Sequence, residues 1–341
     1  MKQTKATEYM YASARLRALE RHMVGRERLE VLMECRTSDE VMARLAEYGI
    51  APAEETAAPL GEARSAAREG MLLAILRDAY AEVEAAVPNP APYRAYRYPY
   101  DCNNLKVAVK CAIRGIPAGD MLFDFGTVPA DRVETVLREG RELSLFPPAM
   151  AAAVPVAQKA YEATGDPCRI DAVLDRACYE DMMATLSEAE DPTLLSWLRA
   201  KIDLVNILTC LRILRMKRGD AGAAFLAEAL LPGGTMDGHF FEAAYGGGES
   251  ALWSALIPTP YTALTRFEGE TPTLRWAETT ADNLWMALVR DGARVPFGAP
   301  VAGGYLIGCE TAVKNLRILL AAKDAGLSQE ALRERIRLSY V

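Results

Sequence analysis

Histidine is nearly missing from this 341-residue chain: only His22 and His239 occur, 217 positions apart, and neither has a second histidine or a carboxylate at ligand spacing. A histidine-based triad or metal centre is thereby weakened, and both residues read as surface or helix-entry side chains. The seven cysteines (Cys35, Cys102, Cys111, Cys168, Cys178, Cys210 and Cys309) include no C-x-x-C pair, and their number is odd. Neither a disulfide framework nor a zinc site is suggested, and they read as buried thiols in a reducing compartment. No Gly-Lys-Ser or Gly-Lys-Thr ending of a phosphate loop is present. Gly246-Gly247-Gly248 and Gly303-Gly304 lack the G-x-G-x-x-G spacing and read as loop and helix-break glycines. Apolar runs of 18 or more residues are also missing, and Glu8 and Arg15 interrupt any leader-like stretch. A cytosolic or peripheral protein without a membrane span is expected. Basic residues are outnumbered, 39 against 46, for a net charge of −7, so the excess that neutralises a phosphate backbone is lacking. Nucleic acid is not an expected partner.

Hydrophobic residues make up 51% and charged residues 25% of the chain, an ordinary globular balance with enough apolar surface for two or three domains. Apolar residues recur at spacings of three and four, while strict alternation is scarce, which predicts an all-α fold. Helical pattern covers about Ala6 to Cys35, Ser38 to near Gly49, Ala63 to Val87, Ala130 to Leu143, Ile170 to Leu186, Pro192 to Lys217 and Leu284 to Val289. Breaks are expected at Pro88-Asn89-Pro90, Phe146-Pro147-Pro148 and Pro232-Gly233-Gly234.

One pattern occurs three times. Asp101-Cys-Asn-Asn104-Leu105-Lys106 opens an apolar stretch that closes at Arg114-Gly115, Asp203-Leu-Val-Asn206-Ile207 runs to Lys217-Arg218-Gly219, and Ala312-Val-Lys-Asn315-Leu316-Arg317 closes at Lys323-Asp324-Ala325-Gly326. The asparagines lie 102 and 109 residues apart, so the repeat is domain-sized. It divides the chain into 1–115, 116–219 and 220–341, the first nearly neutral and the other two acidic. Asp101 with Asn104, and Asp203 with Asn206, stand at i and i+3 on one helical face among apolar neighbours. Such polar groups either bind a ligand or, more simply, satisfy nearby backbone, since an orphaned buried polar group costs about 1–3 kcal/mol. The five residues Asp101, Asn104, Asp203, Asn206 and Asn315 are therefore taken as a structural repeat motif. No catalytic, cofactor-binding or metal-binding residue is singled out.

Together with Tyr9-Met-Tyr11-Ala-Ser-Ala-Arg15-Leu-Arg17-Ala-Leu19-Glu20 at the amino end, the three copies resemble the C subunit of the V/A-type rotary ATPases, known in eukaryotes as the d subunit. Asp101 to Lys106 is similar to that family's D-x-x-N-L-K signature. Phe123-Asp124-Phe125-Gly126-Thr127-Val128-Pro129, Leu231-Pro232-Gly233-Gly234 and the carboxyl-terminal Arg333 to Val341 continue the similarity over nearly the whole chain. Ala312 departs from it, standing where the family pattern more often carries Glu. The resemblance implies three similar helical domains in a funnel-like arrangement. It further implies a non-catalytic subunit on the cytoplasmic face that seats the central stalk on the proteolipid ring and binds no nucleotide. A helical scaffold outside any ATPase, and an enzyme with carboxylates in a cleft between repeats, are the alternatives the residues themselves leave open.

Overall fold

Helix boundaries follow the chain's caps and punctuation in the computed structural model, which describes residues 6–50, 62–217 and 219–341. Fifteen α-helices and no strand are present among these residues, so the fold is all-α. The chain divides into two compact units, residues up to 90 with 267–341, and residues 91–266. These limits differ from the repeat boundaries at 115 and 219, where Gly115 (φ 66°) and Gly219 (φ 55°) make helix junctions in the left-handed region.

The first unit contains α1 (Met10–Glu20), α2 (Arg26–Glu34), α3 (Ser38–Glu47), α4 (Glu62–Ala86), α13 (Leu274–Gly292), α14 (Ala299–Asp324) and α15 (Gln329–Arg333). Leu72, Leu76, Ala79 and Val83 recur every three or four residues along α4 and are buried, the stripe that packs on α14. Helix α14 buries residues on most of its circumference, as expected of a helix that is apolar nearly all round. Thr37 caps α3 by accepting a hydrogen bond from the Glu40 amide at 3.2 Å, one position before the Ser38 start expected from the sequence.

Two expectations are corrected in this unit. The single helix expected over Ala6–Cys35 is split between α1 and α2, because the Arg26 amide donates to the Val341 carbonyl at 2.9 Å and Gly25 lies so close to Val341 that a Cβ would reach it at 2.9 Å. Gly303-Gly304, read as a helix break, instead lies buried inside α14. A Cβ at Gly304 would meet the Tyr340 hydroxyl at 2.6 Å, and one at Gly308 would meet the Tyr340 ring at 2.7 Å. The glycines make room for an aromatic ring rather than for a bend. In the second unit Gly246 and Gly247, also read as loop glycines, are the last residues of a helix, and Gly248 (φ 82°) makes the break.

The second unit contains α5 (Tyr98–Arg114), α6 (Ala130–Glu139), α7 (Pro148–Thr164), α8 (Cys168–Ser187), α9 (Pro192–Met216), α10 (Asp220–Ala229), α11 (Gly238–Gly247) and α12 (Glu249–Leu256). Proline opens α7 and α9 at the first helical position, where its missing N–H costs nothing. Asp191 caps α9 by accepting from the Thr193 and Leu194 amides. Helices α5 and α8 are tied by Lys106–Asp175 and Lys110–Asp171, each at 2.5 Å. Helix α9 is the central rod of this unit, with Trp197, Ile202, Ile207 and Leu211 all buried. Among the described residues, no helix is long and apolar enough to cross a membrane.

Candidate functional site

The three motif copies lie on α5, α9 and α14, and each asparagine is buried with its carboxamide clamped onto one downstream residue. Asn104 donates from Nδ2 to the Phe123 carbonyl at 2.7 Å and accepts from the Phe123 amide at 2.8 Å. Asn206 treats Leu231 in the same way, at 2.9 and 2.8 Å. Asn315 repeats the arrangement on Arg337, at 2.9 and 2.8 Å. A carboxamide carries a donor and an acceptor side by side, so it can mimic the edge of a neighbouring strand and satisfy both groups of one extended residue. That chemistry explains asparagine in all three copies, since aspartate would lose the donor and leucine both.

The aspartates complete two of the three clamps. Asp101 accepts from the Thr127 amide at 3.0 Å, the Thr127 hydroxyl at 2.7 Å and the Val128 amide at 3.1 Å. Asp203 accepts from the Thr235 amide at 2.9 Å, the Thr235 hydroxyl, the Met236 amide at 3.0 Å and the Tyr261 hydroxyl at 2.7 Å. In both copies the threonine stands four residues after the clamped residue and a glycine three after it: Phe123, Gly126, Thr127, and Leu231, Gly234, Thr235. A Cβ at Gly126 or Gly234 would fall far inside van der Waals contact with the Oδ1 of Asp101 or Asp203. The carboxylate in each copy therefore requires the glycine.

The third copy differs at all three positions. Ala312 replaces the aspartate, Tyr340 the glycine and Val341 the threonine. Tyr340 is buried here, its ring against Gly304 and Gly308 of α14. The segment is held instead by Arg337 Nε to Asp282 at 3.1 Å and by the Leu338 amide to Asn283 at 2.7 Å.

Burial pushes the Asp101 carboxyl above the ordinary carboxylate value, and the hydrogen bonds from Thr127 and Val128 pull it partly back. The Tyr261 phenol is pushed up by burial and by donating to Asp203. Arg97 closes the first clamp from outside, donating to the carbonyls of Phe125 at 3.0 Å and Gly126 at 2.5 Å with its guanidinium over the Phe125 ring. The donors to these aspartates named above lie on the segments that follow each helix, so the carboxylates fasten those segments to α5 and α9. Among the described residues no group of three or more His, Cys, Asp or Glu side chains could hold a metal ion. His22 and His239 are exposed, and His239 pairs with Glu242 at 3.3 Å, which corrects the reading that it has no carboxylate at such spacing, since Glu242 follows it by three residues on one helical face. The cysteines are free, five of them buried and Cys35 and Cys168 half-buried. Arg218, expected at the end of the second copy, lies outside the described residues.

Sequence reasoning placed the five motif residues on helices but missed what they hold. The signal for it was the Gly-Thr pair at a fixed offset behind the first two asparagines, with Tyr-Val at the same offset in the third.

Comparison with known proteins covers almost the whole chain. The profile of the ATP synthase (C/AC39) subunit family matches residues 12–335. The A-type ATP synthase C subunit of Thermococcus gammatolerans is 24% identical over 347 residues, covering 97% of this chain and 90% of the relative. That of Thermococcus onnurineus is 24% identical over 342 residues, covering 97% and 91%, and that of Thermococcus kodakarensis is 25% identical over 239 residues, covering 68% and 64%. The first two clamps and Asn315 fall within the matched span, Arg337 lying just beyond it, and the chain belongs to the ATP synthase (C/AC39) subunit family, as a non-catalytic subunit of a V/A-type ATPase.

Proposed function

We propose that this protein is the socket of the central rotor, seating the central stalk on the membrane proteolipid ring and passing torque between them for ion transport. The observation that carries the reading is the similarity to an A-type ATP synthase C subunit over 97% of the chain. The Asn clamps at Asn104, Asn206 and Asn315 support it, because a torque coupler needs loops that are fixed to their helices rather than reactive groups. The three repeats, 1–115, 116–219 and 220–341, would present similar helical domains in a funnel, and the protein would sit peripherally on the cytoplasmic face. The physical need is geometric, since a broad ring and a narrow stalk have mismatched cross-sections. Five motif residues, Asp101, Asn104, Asp203, Asn206 and Asn315, act in this reading as structural members, with no nucleotide bound.

The test is to measure ATP hydrolysis and ion uptake in reconstituted vesicles with and without the protein. Hydrolysis should persist while uptake is lost. Undiminished uptake in its absence would refute the socket role.

A further inference from the structure

Outside the clamps, two buried cysteines meet between α5 and α8. These helices run antiparallel: Lys110 faces Asp171 and Lys106 faces Asp175, each at 2.5 Å, and the Tyr98 hydroxyl meets that of Thr185 at 3.1 Å. Four residues back from Lys106 stands Cys102, and four on from Asp175 stands Tyr179, next to Cys178. The register therefore sets the two thiols level, and Cys178 interacts with the Cys102 sulfur across the interface. Each cysteine is 2% exposed. The Cys102 thiol donates to Oδ1 of Asp175 at 3.6 Å, the same oxygen that accepts from Lys106 Nζ. The side chain of Asp175 is 42% exposed and that of Lys106 20%, so the sulfurs lie beneath a partly hydrated ion pair rather than deep in apolar packing.

The thiolate is the nucleophilic form, so a thiol reacts where a base can take its proton and a cation can hold the resulting charge. Asp175 is placed to accept the Cys102 proton, and Lys106, one turn further along α5, acts electrostatically on the same sulfur. The Cys178 thiol is pushed above its ordinary value by its contact with Cys102 and by burial, so it stays protonated beside the attacking sulfur. Cys210 offers the contrast, its thiol pushed up to about 12 by burial alone. We propose that Cys102 and Cys178 are a thiol pair that a hydroperoxide oxidises to a reversible disulfide between α5 and α8. Cys102, its proton passed to Asp175, attacks the outer peroxide oxygen. The O–O bond breaks, the departing oxygen takes that proton, and Cys102 is left as a sulfenic acid beside an alcohol or water. The Cys178 sulfur then attacks the Cys102 sulfur, the S–S bond forms as the S–O bond breaks, and the leaving hydroxide takes the Cys178 proton to become water. Two thiols have then lost two electrons to one peroxide bond. Bridges of this kind in reducing compartments are transient and redox-sensing rather than permanent.

The full chain, reduced and then freed of reductant, is exposed to hydrogen peroxide without denaturant, alkylated with iodoacetamide, digested without reduction and read by mass spectrometry. The expected product is a peptide pair joined through Cys102 and Cys178 that dithiothreitol separates again. Cys178→Ser should block the bridge and leave Cys102 as a sulfenic acid that dimedone labels, whereas Cys102→Ser should abolish both signals. Lys106→Gln and Asp175→Asn should each slow formation of the bridge tenfold or more. Should either of these two loosen the fold, Cys210 reports it by becoming alkylated before denaturation, and the parent chain with the two serine variants then decides the matter. Survival of Cys102 and Cys178 as free thiols, their pairing with other cysteines, or oxidation of Cys102 no faster than that of Cys210 would overturn the assignment.

Discussion

Replacing Asn206 with alanine isolates one clamp, because the side chain is 2% exposed and its two hydrogen bonds both go to Leu231, itself 5% exposed. Truncation leaves the Leu231 N–H and C=O facing a hole too apolar to supply good replacements. Each orphaned group costs about 1–3 kcal/mol, so the loss should be about 2–4 kcal/mol once partial relaxation or entry of one water is allowed. With a denaturant slope of about 3 kcal/mol/M for a chain of this size, the urea midpoint should fall by about 1 M. The assay is urea unfolding followed by tryptophan fluorescence, since Trp197 is buried on the same helix. The chain has two units, so the transition is fitted per unit rather than as one step. Asn206→Asp should be at least as damaging, because it keeps the acceptor but turns a carboxylate onto the Leu231 carbonyl. An unchanged midpoint for Asn206→Ala would refute the claim that the carboxamide holds the loop.

Gly126→Ala should destabilise by about 2 kcal/mol or more in the parent, yet by less than about 1 kcal/mol in an Asp101→Ala background, because the added methyl collides with that carboxylate. A double-mutant cycle in urea measures this, and additive losses would show that the glycine and the aspartate are independent. The advantage of the parent over Asp101→Ala should narrow as the pH rises above about 4. A folded-state carboxyl held above its unfolded value keeps a proton that the unfolded chain releases, so its contribution is full below that value and falls as pH climbs through the raised one. A widening advantage over the same range would show that the hydrogen bonds outweigh burial.

Much of the helical framework is visible in the sequence because it is local. Spacings of three and four in Leu72, Leu76, Ala79 and Val83, and caps such as Asp191 before Pro192, act within a turn or two. The clamps are not local: Asn206 faces a residue 25 positions away, and no periodicity announces that a carboxamide will pair with it. The Gly303-Gly304 misreading has the same origin, since the reason for small residues there is the ring of Tyr340, which arrives from the far end of the chain. Likewise the break near Gly25 is pinned by Val341, which is remote in sequence, as well as by the local bond from the Gly25 amide to the Met23 carbonyl.

The clamps also set how far the chain can lengthen under load. Each closes a stretch of 19, 25 or 22 residues between the asparagine and its partner. Fully extended, with the helical turns that follow each asparagine unwound as well, such stretches would span about 65, 85 and 75 Å at roughly 3.4 Å per residue. Two short hydrogen bonds at each base keep that slack out of circulation, much as a stitch keeps a fold of cloth from running out. The loops between those bases can bend without lengthening the chain so long as the stitches hold, so its slack is limited by the carboxamides and the side chains that fasten the same segments, Asp101, Asp203, Asp282 and Asn283, rather than by the length of its connections.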